Sequence, residues 1–461
     1  MFKKTFFHAA VISALTIACG GASAGTLMDD PQMALAKIQK QDPYFVKKIH
    51  KVADNVYTAV GFHGATTSMI VGDDGIILID SLFGPKSAGD AFAEFRKITD
   101  LPVKAIIYTH GHQDHVGGAS AYLKGAKGDV KIIAAQNLSN NTGADAVVNP
   151  LLIERGIMQF GRTLPKEQLT NRGLAPSGTY DKDMMKGFVE PNLRVNGSLN
   201  ITIAGIDLVL KQVSGETNDH LYVWMPKQRV LFCGDNFYKA FPNLYAIRGT
   251  PYRDVRAWAK TTAELAALKP EVLVPGHTTP IIGQDQAVGA LTDYSKTIQF
   301  VFDETVKGMN RFEDPETIAQ SIRLPDELAN KPWLSEVYGN IENASRAVFS
   351  GLVGWFDGRP VNLHPLSKAR RADRYAQLLG TPQQAIERLL QAEKGESVDD
   401  YQWGLELVEV ILPRTDLSEA QRTQVIQSQI RLLRSIAKHE SNPVNRNFYL
   451  TFAQRLEKRM Q

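Results

Sequence analysis

Cysteine is nearly absent from this chain: there are two in 461 residues, Cys19 and Cys233. A chain so poor in cysteine has no disulfide framework, so a packed core must hold it together. An excess of charge of one sign is also missing. Lys plus Arg number 52 against 49 Asp plus Glu, a formal net charge of +3. No basic run occurs, and nothing points to a nucleic-acid partner. Beyond the first two dozen residues, no stretch is long and apolar enough to cross a bilayer. Internal repeats and low-complexity tracts are absent. What is present is an ordinary folded composition, 43% hydrophobic and 22% charged, in a chain long enough for two domains.

The amino-terminal stretch reads as an export signal. Lys3 and Lys4 form a short basic region, FFHAAVISALTIA is apolar, and Ala22-Ser23-Ala24 is a small-residue cleavage site. Removal of residues 1–24 would place the protein in the periplasm or outside the cell with Cys233 as its single cysteine. Thr16-Ile17 before Ala18-Cys19 is a poor lipobox, which argues against a lipid anchor at Cys19 and stable membrane insertion.

From Tyr57 onward, apolar and alternating runs bounded by turn residues predict strands: NVYTAVGF, TTSMIVGD, DGIILIDS, VKAIIYTH, VKIIAA, LNITIAG, IDLVLKQV, LYVWMP, RVLFCGD and EVLVPGH. PKSAGDAFAEFRKIT and RDVRAWAKTTAELAAL have helical spacing. Strands alternating with helices predict an α/β fold. After residue 284 strand signals stop, and AVGALTDYSKTIQFVFDETVKGM, AQLLGTPQQAIERLLQAEK, YQWGLELVEVIL, EAQRTQVIQSQIRLLRSIAK and NRNFYLTFAQRLEKRM read as helical. The expected organisation is a signal at 1–24, an α/β catalytic domain at 25–305 and a helical domain at 306–461.

The chemistry gathers in THGHQDHVGG, where three of the ten histidines fall between His110 and His115. A lone histidine is usually structural. His110, His112, Asp114 and His115 at the end of an apolar strand instead form a set suited to zinc and similar metals. Gly111, Gly117 and Gly118 are expected to let the backbone turn.

H-x-H-x-D-H is the signature of the metallo-β-lactamase superfamily, which residues 50–285 resemble. The resemblance implies an αββα sandwich with metals at one sheet edge and further ligands at later strand ends. SGETNDH offers Glu216, with His220 as competitor. LFCGDNF offers Asp235, and LVPGHTTP offers His277. The implied set is His110, His112 and Glu216 on one metal, Asp114, His115 and His277 on the second, and Asp235 bridging. Two zinc ions, or another divalent metal, are expected. A glutamate among these ligands is expected to add negative charge that partly neutralises the dications. Cys233 shares a strand face with Asp235 and is expected to be a core residue.

Further segments are similar to the alkyl sulfatases: NLYAIRG at 243–249, VYGNIENASRAVFSGLVGWFDGRPVNLHPL at 337–366, DDYQWGLELVEVIL and NRNFYLT. Together the likeness covers about residues 50–460. It implies cleavage of alkyl sulfate esters to alcohol and sulfate, with metal-bound hydroxide oriented by Asp114 as nucleophile. Arg248 and Asn243 would hold the sulfate. Tyr338 would stand near it as proton donor, with His220 and Lys239 as weaker candidates. The helical domain would form a homodimer. Trp355, Phe356 and Asp357 are expected to be packing and turn residues. The chain departs from the family in ending without a further lipid-binding-like domain, in Gly-Glu-Thr-Asn-Asp-His after Ser214, and in Glu342 or Asn343 where a histidine is common. The rival readings are a lactonase or β-lactamase on the same metal motif, and a dimeric binding protein on a degenerate hydrolase fold.

Overall fold

A computed structural model describes residues 25–124, 126, 128–138, 148–178 and 182–461; the expected signal at 1–24 lies outside them. Among the described residues, thirteen strands form two sheets. The first sheet takes β1 (Lys48–Ala53), β2 (Val56–Val60), β3 (Thr67–Val71), β4 (Ile76–Ile79), β5 (Val103–Ile107), β6 (Lys131–Ala135) and β7 (Leu193–Val195), side by side in chain order. Its first four strands are antiparallel and its last four parallel. The second takes β8 (Ser198–Ile203), β9 (Ile206–Val213), β10 (His220–Met225), β11 (Val230–Phe232), β12 (Val272–Val274) and β13 (Ile281–Ile282). β11 and β12 are the parallel pair of that sheet, joined through helix α6 (Val255–Ala267).

The apolar runs explain the layering. Strand side chains alternate between faces, so fully buried strands such as β4 and β5 need cover on both sides. Ile77, Ile107 and Ile133 of the first sheet meet Leu210, Val223 and Phe232 of the second in one buried cluster. The outer face of the first sheet carries Leu78 and Ile106 against Phe95 of α2 (Pro85–Arg96) and Tyr122. On the outer face of the second sheet, Trp224 and Leu231 pack against Trp258, on α6 (Val255–Ala267), and Leu291. Truncating a central residue such as Phe232 to alanine is expected to cost about 3–5 kcal/mol. The expected αββα sandwich is present.

The remaining helices are α1 (Pro31–Gln39), the short α3 (Gln113–Val116) and α4 (Ser120–Leu123), and α5 (Asn149–Gln159). After the sandwich come α7 (Gln284–Asn310), α8 (Pro315–Ser321), α9 (Asp326–Ala329), α10 (Ile341–Val353), α11 (Lys368–Leu379) and α12 (Pro382–Glu393). The chain closes with α13 (Val398–Ile411), α14 (Glu419–His439) and α15 (Pro443–Met460).

The domain boundary expected at 305/306 falls inside α7, which runs unbroken to Asn310. The core does not divide there either. Leu291, Ile318 and Val348 share one buried cluster with Trp224 and Trp258 of the sandwich side. A separate core, Ile386, Leu389, Val408 and Val425, lies among α12, α13 and α14. Helix periodicity hid this, because it marks an apolar face without saying what covers it. The stretch AQLLGTPQQAIERLLQAEK also holds two helices. Gly380 sits at φ +80 and closes α11, and a capping box at Thr381 with Gln384 opens α12.

Candidate metal centre

β5 delivers Thr109 and His110 to one edge of the sandwich, and the turn into α3 delivers His112, Asp114 and His115. Asp80, just past β4, fixes this turn. It accepts from the Thr109 backbone N–H at 2.7 Å and the Thr109 hydroxyl at 2.8 Å, and lies 2.7 Å from His115 Nδ1. With its proton given to Asp80, the Thr109 oxygen accepts from His110 Nδ1 at 3.1 Å. These bonds leave the Nε2 lone pairs of His110 and His115 facing inward. Gly117 and Gly118 do not serve the turn through unusual backbone angles, since Gly117 has φ −74. They allow close approach: a Cβ would lie 2.1 Å from the Phe83 carbonyl oxygen at Gly117 and 2.3 Å from that of Ser81 at Gly118.

The other sheet supplies the distant groups from its strand ends. Glu216 follows β9, Asp235 follows β11 and His277 follows β12. His277 Nδ1 lies 2.9 Å from the Gly64 carbonyl oxygen and 3.2 Å from that of Leu174, so this nitrogen donates and Nε2 is turned towards the acids. His277 Nε2 stands 3.3 Å from Asp235 Oδ2 and 3.5 Å from Asp114 Oδ2. His115 Nε2 is 3.4 Å from Asp235 Oδ1, and His110 Nε2 is 3.7 Å from Asp235 Oδ2.

Three ligand groupings result, each with its donor atoms within 4.8 Å of one another: Asp114, His115 and His277; His112, Glu216 and Asp235; His110, His115 and Asp235. The first is the trio expected for the second metal. Asp235 joins the other two, a placement suited to a bridging carboxylate, whereas His110, expected with His112 and Glu216, groups instead with His115 and Asp235. Glu216, rather than His220, joins His112. His220 stacks on His110 with ring centres 4.1 Å apart, and its Nδ1 lies 2.8 Å from the Thr217 hydroxyl. Among the described residues His220 enters no grouping.

The residues fit divalent cations. His115 Nε2, Asp235 Oδ1 and Glu216 Oε2 are buried without a hydrogen-bond partner, and an unsatisfied buried polar atom is costly. Mixed imidazole and carboxylate donors suit zinc-like metals. Burial opposes ionisation of Asp235, yet His277, His115 and His110 hold its carboxyl well below the usual range. Burial works against charge on His277, but Asp235 holds its imidazolium up to about 9. Burial keeps His110 and His112 well below their ordinary value, in the neutral form a metal needs.

A cavity of about 340 Å³ opens on this edge. His112, Asp114, Glu216, Asp235 and His277 line it together with Arg248 and Tyr338. Leu152, Ile153, Phe160, Leu174 and Met184 give it an apolar wall. Burial, reinforced by Glu216, pushes the Tyr338 phenol up despite Arg248, so it stays protonated. Asn243 is not brought to this wall. Its backbone N–H donates to the Tyr238 hydroxyl at 2.8 Å and its carbonyl accepts from Arg253. Lys239 also stands off the wall, with Nζ bonded to Thr279 Oγ1 at 2.7 Å and burial pushing it down to about 8. Cys233 is buried and burial pushes its thiol up, as befits a core residue. In the GWFDG segment, Asp357 accepts from Arg359 N–H and Asn362 Nδ2 as a turn residue. Trp355, expected to pack, is instead 77% exposed.

Asp80 and Arg253 escaped the sequence reading, as did Arg162 and Arg172 of the cavity wall. Asp80 left a trace as the acid that ends the buried run IILI. Arg253 left none, since it stands beside Asp254, the N-cap of α6, and looks like a solvated charge at a helix start.

Known proteins resemble this chain over both its sandwich and its helical region. The metallo-beta-lactamase superfamily model matches residues 60–277, and the alkyl sulfatase dimerisation model matches 314–459. A linear primary-alkylsulfatase of a Pseudomonas species is 31% identical over 401 residues, covering 85% of this chain and 74% of that protein. An alkyl/aryl-sulfatase of Saccharomyces cerevisiae is 28% identical over 76% of this chain and 55% of its own length. The solved structure of a stereoselective inverting sec-alkylsulfatase from Pseudomonas sp. superposes with a TM-score of 0.80 at 24% identity, over 92% of this chain and 67% of that one. That likeness speaks for the fold.

Proposed function

The chain belongs to the alkylsulfatases of the metallo-beta-lactamase superfamily, metal-dependent sulfuric ester hydrolases, and we propose that it cleaves alkyl sulfate monoesters at a centre of two divalent metals, zinc being the first choice. The observation that carries this reading is the cavity wall, where five of the candidate ligands, the guanidinium groups of Arg162, Arg172 and Arg248, and an apolar lining share a single space. A sulfate head and an alkyl tail are the chemical complement of that wall.

Bound metals would supply a water of lowered pKa and positive charge against the sulfate. The chain's own residues do the rest. Arg248 offers a planar fork to two sulfate oxygens. Asp114 lies in the wall beside His277, where its carboxylate orients the attacking oxygen. If the S–O bond is the one cut, the leaving group is an alkoxide, a poor one, and the protonated Tyr338 phenol stands in the same wall to give it a proton. Leu152, Phe160 and Leu174 shed water from the alkyl chain. Residues 1–24 are assigned as a cleaved export signal, so intact mass of the exported protein should start at Gly25. The helical region is assigned as the surface of a homodimer.

The test is sulfate release from dodecyl sulfate by zinc-loaded protein, with His112→Ala as control. Release that vanishes in the control is the expected result. Two metals bound without release from dodecyl or shorter alkyl sulfates would overturn the substrate. Oxygen-18 water then reports the bond cut: label in sulfate marks S–O cleavage, and label in the alcohol marks C–O cleavage.

A further inference from the structure

The assigned chemistry uses Glu216 as a ligand and leaves Arg253 without a role. Yet the two form one of the best-defined contacts of the centre. Arg253 Nη1 donates to Glu216 Oε1 at 2.7 Å, and both side chains are almost fully buried, 2% and 4% exposed. The same nitrogen donates to the Asn243 carbonyl, at the start of the segment that carries Arg248. Glu216 Oε2 is left without a partner and falls within the grouping of His112 and Asp235. One carboxylate oxygen is thus held by a cation of the chain, and the other is presented to the metal position.

We infer that Glu216 and Arg253 act as one charge-neutral ligand, with Arg253 as the positioning residue. The inference rests on the reading of a two-metal centre that binds sulfate. Asp114, Asp235 and Glu216 would together offset three of the four positive charges of two divalent ions. A sulfate monoanion is drawn by what positive charge remains. Arg253 cancels the charge of Glu216, so the centre gains an oxygen ligand without losing field. The negative charge expected from a glutamate at this position is therefore not delivered to the cavity. Burial explains why the pair acts as a unit: removing one partner strands the other charge in the interior, whereas removing both does not.

The experiment is a mutant cycle on the full chain with two readouts that need no ester. Metal per chain is measured by plasma mass spectrometry after dialysis against a zinc buffer. Affinity for inorganic sulfate is measured by titration calorimetry. Arg253→Met is expected to keep its metals and bind sulfate roughly tenfold more weakly, the scale of one charge at a protein-like dielectric. Arg253→Lys, which keeps the charge, is expected to stay within about threefold. Glu216→His with Arg253 retained is expected to lose one metal, because an unpaired guanidinium then faces the cations. Glu216→His combined with Arg253→Met is expected to regain it. Wild-type sulfate affinity in Arg253→Met, or a double variant holding no more metal than Glu216→His alone, would overturn the inference. The double variant leaves no buried charge unpaired and decides the matter even where Arg253→Met does not fold. Full metal loading with no turnover of any alkyl sulfate would strike the proposed substrate and leave the pair standing.

Discussion

Asp80 Oδ2 lies 2.7 Å from His115 Nδ1, and both side chains are buried. Asp80 itself sits at φ +59, a left-handed conformation that only the surrounding structure sustains. A carboxylate behind a metal-binding imidazole fixes the ring and raises its basicity. Asp80→Asn should therefore weaken zinc affinity by about 10–100-fold while leaving the ligand set intact. Competition with a chromogenic chelator checks it, and an unchanged affinity would reduce Asp80 to a structural residue.

Arg248 and Tyr338 share the cavity wall but are assigned different tasks. Arg248→Lys loses the planar fork and should raise KM for dodecyl sulfate by about tenfold or more with a smaller change in kcat. Tyr338→Phe removes a proton donor and should lower kcat by about 10²-fold with KM little moved. Steady-state kinetics on both variants tests the split. Equal effects on KM and kcat in the two would refute the assignment.

Stability should fall as pH rises from about 4.5 towards 7, in part through Glu440. Burial raises this carboxyl to about 7, against hydrogen bonds from Thr26, Asn442 and Asn445. Between its ordinary value and 7 the folded chain keeps a proton that the unfolded chain has released. The contribution is complete at low pH and is lost as pH rises through that window, about 3 kcal/mol at most. Urea denaturation of wild type and Glu440→Gln at pH 5, 6, 7 and 8 isolates it. The variant should show the shallower slope, and parallel slopes would sink the claim.

Trp355, Val361 and Leu378 are 77%, 73% and 75% exposed, near or on α11, whose residues are mostly in solvent. An apolar surface of this kind is the expected seat of a partner. Light scattering at micromolar concentration should give twice the chain mass. Trp355→Ser combined with Leu378→Ser should shift it towards one chain mass. A wild-type monomer would contradict the homodimer.

Legibility in the sequence followed locality. β4 and β5 were readable because buried runs lie between turn residues, and His110, His112, Asp114 and His115 because their spacing is local. β1 was missed, since KIHKVA is charged and has a single fully buried residue. β7 and β13 are only three and two residues long. Glu216, Asp235 and His277 came from a family pattern, as strand ends far apart in sequence carry no local sign of meeting. Asp80 and Arg253 act only through residues brought to them by the fold. Asn243 stood in a recognisable segment, yet its backbone rather than its side chain makes the contacts seen.

Ala65 forms an isolated bridge with His277, and Thr66 adds bonds to the Gly276 and Pro275 carbonyls at 2.7 and 2.8 Å. The lead-in to β3 of the first sheet is thereby stitched to the strand end of the second at the place where His115 and His277 converge. Opening the sandwich at this edge means pulling the ligands apart. Metals bound there would therefore clasp the two sheets together as well as serve the reaction. Chelation should loosen the molecule from this seam outward, with the Thr66 and Gly276 amides exchanging with deuterium ahead of those inside β5 and β10.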